Sequence, residues 1–449
     1  MKKFLKTIAV AMAICIGSSS AVYADETNTA GTFKTEPMIA CGIFGGMPEY
    51  DHTLALSSDG HVWSWGFNFY GQLGNGTYNY GYTPSKVLGL SKVEKVFAHA
   101  FKSAAIKNDG TVWEWGEDSI IPNDYSSPLY ITKPRLVEGI SDVKTIVFPA
   151  HYSLALKNDG TVWVWGTLGS YPDYKYITTP TKVGGITDIK DIYYDNTSLI
   201  VLLKNDGTVW LWGDGNDPSE LNGLENIVSL GSGIALKNDG TVWGYSVWEP
   251  EQAPAQIMDN IKAISFGWNS NTVIKNDGTA WKWGYNNYGN LGIGKESSEL
   301  HQSDVPVQIK NIQNVVSVAG DSTHSTALTA DGSVWSWGLG TPGGLGSDAP
   351  KEITEPTKIP NLNLLADHSQ EFTAVIGGAN QTGKVEAADA AVILQKVLNN
   401  SYIMPIEFTT DDYLKYIDVD LDGKITASDA TQVMQKVLNN SYKMPVEMQ

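Results

Sequence analysis

Ile106-Lys107-Asn108-Asp109-Gly110-Thr111-Val112-Trp113-Glu114-Trp115-Gly116 is the stretch on which the fold turns. Apolar and polar residues alternate on both sides of Asn108-Asp109-Gly110, a period of two that suits strands rather than helices. The turn between them needs a left-handed residue, which glycine supplies at no steric cost. The same block stands at Leu54 to Gly66 and returns around Trp163, Trp210, Trp243, Trp281 and Trp335, so it is written seven times. The fifth copy has drifted, with Tyr245-Ser246 where Trp-Gly stands in the others.

A second marker has the same count. Pro84, Pro134, Pro180, Pro218, Pro254, Pro306 and Pro356 each open a short segment such as Pro84-Ser85-Lys86-Val87. Each copy reads as four strands, in the second copy Val93 to Phe97, Ser103 to Lys107, Thr111 to Trp115 and Pro134 to Val137. Proline fits at the start of a strand or on an edge, as a fourth strand requires. Four strands per copy, with copies 33 to 54 residues apart, predict an all-β, seven-bladed propeller over residues 38–361. Both tryptophans of each Trp-x-Trp run point to one sheet face, which places them between blades. Residues 362–377 are a linker or extra strands; Leu362 to Asp367 and Phe372 to Ile376 look like the start of an eighth copy.

These residues resemble the regulator of chromosome condensation repeat family over roughly Met38 to Asn361. The likeness includes Ile39-Ala40-Cys41-Gly42, His52 and His324 at equivalent places, and the turns Gly71-Gln72-Leu73-Gly74, Gly289-Asn290-Leu291-Gly292 and Gly343-Gly344-Leu345-Gly346. Copies two to five lack the Gly-x-Leu-Gly turn. The resemblance implies a seven-bladed propeller.

The ends carry other signals. Lys2, Lys3 and Lys6 precede an apolar stretch from Ile8 to Ile16, and Val22-Tyr23-Ala24 offers a small-residue cleavage site. Residues 1–24 are therefore expected to be an export signal, and 25–37 a linker. Cleavage leaves Cys41 as the one cysteine, so packing rather than a disulfide must hold the mature chain. It also leaves 28 Lys and Arg against 49 Asp and Glu. Nucleic acid and anionic membrane both need a basic footprint, so neither is expected as a partner.

From Gly378 the pattern changes to two copies of a loop and an amphipathic stretch, expected as a small all-α domain over 378–446. Calcium takes six to eight oxygens, and loop positions one, three, five and twelve aim side chains at one point while position seven gives its carbonyl. In the second loop Asp418, Asp420, Asp422 and Asp429 fill the side-chain places and Lys424 gives the carbonyl. In the first, Gly378 supplies no side-chain oxygen, leaving Asn380, Thr382, the Lys384 carbonyl and Asp389. That loop either binds Ca²⁺ more weakly or is kept for its helix.

The unit resembles a type I dockerin, which implies calcium-dependent docking onto a cohesin module of a scaffold protein. The resemblance places cohesin contacts at Ala427, Ser428, Met434 and Gln435 in the second copy. In the first they fall at Ala387, Ala388, Leu394 and Gln395.

Nothing in the sequence asks for catalysis. Asp109, Asp159 and Asp206 each sit in the same Asn-Asp-Gly turn, a structural place. His52 and His324 are expected to pack between blades, and no nucleophile elbow or metalloprotease helix is present. Loop aromatics, among them Tyr70, Tyr78, Tyr80, Tyr82, Tyr125, Tyr174 and Tyr288, suit protein hot spots or stacking on sugar rings, or else pack between blades. The reading is a secreted, non-catalytic binding protein. It recognises an extracellular protein or glycan and docks on a cohesin-bearing, cellulosome-type scaffold that can hold it at the cell surface. A polysaccharide-active enzyme and a propeller inhibitor of a secreted enzyme are the alternatives.

Overall fold

In the computed structural model, seven four-stranded antiparallel sheets follow one another along the chain. The described residues are 33–42, 51–118, 130–149, 151–168, 175–194, 199–213, 217–267, 270–320, 323–340, 345–346 and 352–365. The chain divides into two units, Met1–Ala366 and Asp367–Gln449; all described residues belong to the first. The loops, helices and cohesin contacts expected of the tail lie outside the described residues, as do Tyr125 and Tyr174.

The first blade is Met38–Gly42, His52–Leu56, Val62–Gly66 and Gly81–Lys86; the second is Val93–His99, Lys102–Lys107, Val112–Glu117 and Tyr130–Leu136. The others occupy 143–182, 189–220, 227–258, 261–308 and 315–363. Within each blade the strands pair in sequence order. First strands of neighbouring blades contact one another at six of the seven seams, so they line the ring's axis.

One correction concerns the prolines. They open the fourth strand only in the fourth and fifth blades, where Pro218 and Pro254 precede Ser219–Glu220 and Ala255–Met258. Elsewhere they lie inside it, as Pro134 does in Tyr130–Leu136. The fourth strand is the outer edge, so the missing N–H faces away from the ladder and interrupts nothing.

Each Asn-Asp-Gly turn is a small machine for holding the first tryptophan. Gly110 takes φ 76°. Asp109 Oδ1 accepts the Thr111 amide at 3.0 Å and the Thr111 hydroxyl at 2.5 Å, and that hydroxyl accepts Trp113 Nε1–H at 3.1 Å. Lys107 Nζ lies 5.6 Å from the Trp113 ring centre. Asp159, Thr161 and Trp163 repeat the arrangement, as do Asp206, Thr208 and Trp210. The threonine hydroxyl and then its amide hold Asp109 and Asp159 below the ordinary carboxylate range; at Asp206 the amide leads. These aspartates are spoken for by the fold.

The second tryptophan makes the seams. Trp65, Trp115, Trp165 and Trp337 are fully buried, each in a cluster with the preceding blade. Trp115 packs with Ala40, Leu54 and Val62 of the first blade. Trp165 packs with Phe97 and Ala104 of the second. Trp65 packs with Ala319 and Leu328 of the seventh. A buried indole N–H needs an acceptor, and at two seams the Gly-x-Leu-Gly turn provides it, while Trp65 Nε1 has none among the described residues. Gln72 O accepts from Trp115 Nε1 at 2.8 Å, and Asn290 O from Trp337 Nε1 at 2.9 Å. A Cβ on Gly74, which has φ +65°, would sit 2.7 Å from Trp115 Nε1. The second copy has no such turn, and Glu114 Oε2 accepts Trp165 Nε1–H at 3.1 Å in its place. The buried carboxylate is matched by Lys102 Nζ at 2.9 Å.

The ring closes without exchanging a strand. Leu362 and Leu364 join the cluster of Ile39 and Trp65. Leu364 N donates to Gly332 O at 2.8 Å, and Leu364 O accepts Ser58 N–H at 2.7 Å. The equivalent bonds in the next seam are Val93 N to Gly60 O and Asn108 N to Lys92 O. Leu362 and Asn363 thus complete the seventh blade's last strand, and Leu364 makes the seam bonds that the start of the second repeat makes to the first blade.

Trp115→Ala is expected to lower the unfolding free energy by about 3–5 kcal/mol, the usual cost of deleting a buried aromatic. Gly74→Ala is expected to destabilise through the same indole. Urea denaturation followed by tryptophan fluorescence measures both, and a loss below about 1 kcal/mol for Trp115→Ala would contradict the seam.

Candidate functional site

Two loops between third and fourth strands are built by the same asparagine. Asn68 is buried beneath its loop, donating Nδ2–H to Thr77 O and Asn79 O, each at 2.9 Å, while its Oδ1 accepts Leu73 N–H at 2.9 Å. Asn286 does the same in the sixth blade, reaching Lys295 O, Leu300 O and Leu291 N. A backbone pinned from beneath has its own polar groups satisfied, so its remaining side chains are free to point outward.

What points outward in the first blade is aromatic. Tyr70 is the hub, 4.3 Å from the Phe101 ring centre, 4.8 Å from Tyr130 at 88°, and 5.6 Å from Phe69. Tyr80 lies 5.4 Å from Phe67, and Tyr78 Oη donates to Tyr130 O at 3.5 Å. Phe69 and Tyr82 are 58% and 51% exposed, and Tyr78 and Tyr80 are also exposed. The structure therefore links Tyr70, Tyr78 and Tyr80 across the first and second blades through Phe67 and Tyr130, and Tyr82 is exposed on the first blade's fourth strand. Tyr288 stands apart in the sixth blade, half-buried with φ 57°. Phe101, from the second blade's first hairpin, has no sequence signal; only the pairing of the two blades sets it against Tyr70.

A belt of buried polar contacts runs through several seams at the level of the second tryptophan. His52 Nε2 meets Ser103 Oγ at 2.8 Å, Lys102 Nζ meets Ser153 Oγ at 2.7 Å, and Lys282 Nζ meets Ser325 Oγ at 2.6 Å. His324 Nε2 reaches Thr53 Oγ1 at 3.4 Å across the closing seam. His52 and His324 both pair with the glycine after Trp-x-Trp, Gly66 and Gly338, so they are repeat equivalents that serve successive seams.

The closing seam also gathers Cys41, His324 and Asp51, residue types that support acyl transfer in thiol enzymes. His324 Nδ1 lies 3.1 Å from Asp51 Oδ2, which also accepts the Thr323 hydroxyl at 2.5 Å, and Cys41 Sγ is 3.5 Å from Thr53 Oγ1. Burial alone would lower the His324 pKa, but Asp51 and Cys41 outweigh it and hold the imidazole charged, well above its ordinary range. His52, with no such partner, is lowered to about 3 by burial. Cys41 is 2% exposed, which gives a substrate no approach, and the group works as a clasp. Among the described residues no cluster of His, Cys, Asp and Glu is suited to a metal ion.

On the axial strands, Lys95 Nζ donates to Lys144 O at 2.8 Å and Lys144 Nζ to Lys190 O at 2.5 Å, stepping from blade to blade. Asp191 beside them is buried, and burial pushes its carboxyl up to about 7 although Lys144 and Lys95 pull it down.

The profile of the RCC1-like domain matches residues 32–383, and that of the dockerin type I domain matches 378–438. The chain is similar to the ultraviolet-B receptor of Arabidopsis thaliana, 30% identical over 115 residues, which are 26% of each chain. It is also similar to the regulator of chromosome condensation of Xenopus laevis, 32% identical over 95 residues, or 21% of each. The matched stretches thus span about a quarter or less of these relatives' length. The crystal structure of Prp20p from Saccharomyces cerevisiae shares the fold with a TM-score of 0.56 at 21% identity, covering 67% of this chain and 86% of that one.

Two outcomes test this chemistry. A maleimide reagent is expected to leave Cys41 unlabelled in the native protein and to label it in denaturant, because a buried thiol is inert. Asp191→Asn is expected to raise the melting temperature, and the sign follows from linkage. The folded carboxyl stays neutral to about pH 7 while the unfolded one ionises near 3.8. The native protein is therefore penalised as pH rises through that window, and the asparagine is not. The gain should be near zero at about pH 4 and full at about pH 8; an equal gain at both would contradict the assignment.

Proposed function

We propose, from the premise that this chain belongs to the RCC1-like domain family and carries a type I dockerin domain, that it is a secreted, non-catalytic binding protein. In this reading the propeller offers the aromatic surface of its first two blades to an extracellular protein or glycan. The tail attaches the whole to a cohesin-bearing scaffold of the cellulosome type. The observation that carries the reading is the surface around Tyr70. Large rings held at fixed spacing on a packed seam, with Phe69, Tyr78, Tyr80 and Tyr82 exposed, give contact area at small entropic cost.

Three further points support it. The repeated aspartates, which would be the obvious carboxylates for an enzyme, are each bonded within a turn. The chain is acidic, with a formal charge of −18, which disfavours nucleic acid as the ligand. Its first residues carry the basic and apolar pattern of an export signal.

Calcium fits the donor set of the second tail loop, where Asp418, Asp420, Asp422, Asp429 and the Lys424 carbonyl provide hard oxygens at the required positions. The ion would supply charge neutralisation that lets these carboxylates converge and so fixes the loop. In the first loop Asn380, Thr382, Asp389 and the Lys384 carbonyl form a less charged set, for which weaker binding is expected. Cohesin contacts are assigned to Ala427, Ser428, Met434 and Gln435, with Ala387, Ala388, Leu394 and Gln395 as the second copy of that surface.

The full chain, immobilised and exposed to culture fluid of the producing organism, is expected to retain a cohesin-bearing scaffold in calcium and release it in EDTA. Asp418→Ala combined with Asp420→Ala should abolish retention while leaving the propeller's melting temperature unchanged. Retention that survives EDTA and the double variant would overturn the docking role. Phe69→Ala should weaken capture of the propeller's own ligand about tenfold, the scale of a moderate hot spot.

A further inference from the structure

The fifth blade is short at one end, and its seam with the sixth blade, packed elsewhere by Ile234, Leu236, Val273 and Trp283, carries a cleft there. In the complete blades the second strand pairs with the third through both tryptophans and the following glycine, as in His52 to Gly66 and Lys102 to Gly116. In the fifth blade pairing stops at Ile234 with Gly244, one residue past Trp243, and Tyr245 N already turns back to Gly233 O at 2.9 Å. The sixth blade keeps its full length, its first hairpin reaching Gly267 and Ser270. It therefore stands above its neighbour by about two residues.

The polar belt shows what this shortening removes. Asn271 pairs with Trp283, the register place held by Thr53, Ser103, Ser153 and Ser325 in other blades. At those seams a long side chain of the preceding blade, such as His324, His52 or Lys102, reaches the hydroxyl. The fifth blade offers Ser232 instead, too short to cross. Asn271 Oδ1 is accordingly buried with no hydrogen-bond partner among the described residues, and it borders a cleft of about 400 Å³. A buried acceptor without a partner costs free energy; this oxygen is out of reach of solvent, and Asn271 serves the cleft by forming part of its wall.

The lining states the chemistry of that ligand. Tyr285, 36% exposed, borders the cleft with its ring braced edge-on by His301 at 5.5 Å and 82°. Gln302 Nε2 donates to Asp304 Oδ1 at 2.9 Å, a planar pair that still has acceptors and a donor to give. Gly267 and Gly284 allow close approach to the backbone. Asp304 is the one charged residue of the lining, so anions are repelled, and the polar character of the wall disfavours an aliphatic anchor. A flat aromatic ring beside planar amide and carboxylate groups suits a ring that carries apolar faces and neighbouring hydroxyls.

We propose that the cleft between the fifth and sixth blades, built on Asn271, Tyr285, Gln302 and Asp304, binds a neutral sugar unit of a glycan. It is separate from the aromatic surface on the first and second blades and does not depend on that surface's role.

Isothermal titration of the full chain with cellohexaose, xylohexaose, mannohexaose and hexagalacturonate tests it. At least one neutral oligosaccharide should bind saturably, and hexagalacturonate should not. Tyr285→Ala and Asn271→Ala should each weaken that binding tenfold or more, whereas Phe69→Ala should leave it unchanged. Gln302→Ala, at an exposed position that the fold does not need, should weaken it about fivefold and guards against a folding defect in the Asn271 variant. The proposal is overturned if no neutral oligosaccharide binds, if hexagalacturonate binds as well as the neutral ones, or if binding survives both Tyr285→Ala and Gln302→Ala. Loss through Phe69→Ala alone would also overturn it, and would move the sugar to the first two blades.

Discussion

A buried indole that must find an acceptor for its N–H is the constraint on which this ring depends. Seven sheets with apolar faces can pack around an axis in many ways, since burial is not directional. The second tryptophan makes the packing directional at three seams, where its ring fills the seam and its nitrogen meets one atom of the preceding blade; at the closing seam the Trp65 ring fills the gap but its Nε1 has no partner among the described residues. Gln72 O and Asn290 O meet the nitrogen at two of the three, each from a Gly-x-Leu-Gly turn. Glu114 meets it in the third blade, at the expense of burying a carboxylate together with Lys102. A buried ion pair is a weaker source of stability than a backbone carbonyl, but it fixes the seam equally well.

The sequence made the blades legible because each is specified locally. The Asn-Asp-Gly turn, the threonine after it and the first tryptophan lie within six residues and satisfy one another in five copies. Ser58-Asp59-Gly60 and Ala330-Asp331-Gly332 keep the aspartate and glycine in the first and seventh, so seven copies could be counted and their aspartates assigned to structure. Contacts between blades follow a different rule. Asp51 and His324 are 273 residues apart, and nothing near either one announces the other. Phe101 joins the aromatic surface through the same kind of long-range pairing. The prolines were placed at strand starts because a strand interior normally needs the N–H, whereas an outer edge removes that need. The drift at Tyr245-Ser246 was visible, but its consequence at Asn271 required the register of two blades.

The two surfaces proposed for binding sit where the seams are either decorated or incomplete. Between the first and second blades, full-length strands and a pinned loop hold aromatic rings outward on a rigid base. Between the fifth and sixth, shortened strands leave a polar cleft beside Asn271 Oδ1, an acceptor unmet among the described residues. The clasp of Cys41, His324 and Asp51 shows the opposite use of polar groups, charged and hydrogen-bonded but sealed from any substrate. In the proposed reading the same fold separates closure from recognition by blade length.

Native-state hydrogen exchange on the full chain tests most directly whether the seams set the ring's strength. If they do, the second-strand amides of the second and seventh blades, within 102–107 and 324–329, exchange only on global unfolding. Those of 234–237 in the short fifth blade then exchange by a lower-energy local opening. Equal protection in all three segments would contradict the account, because the tryptophan seams would then not be what holds the ring together.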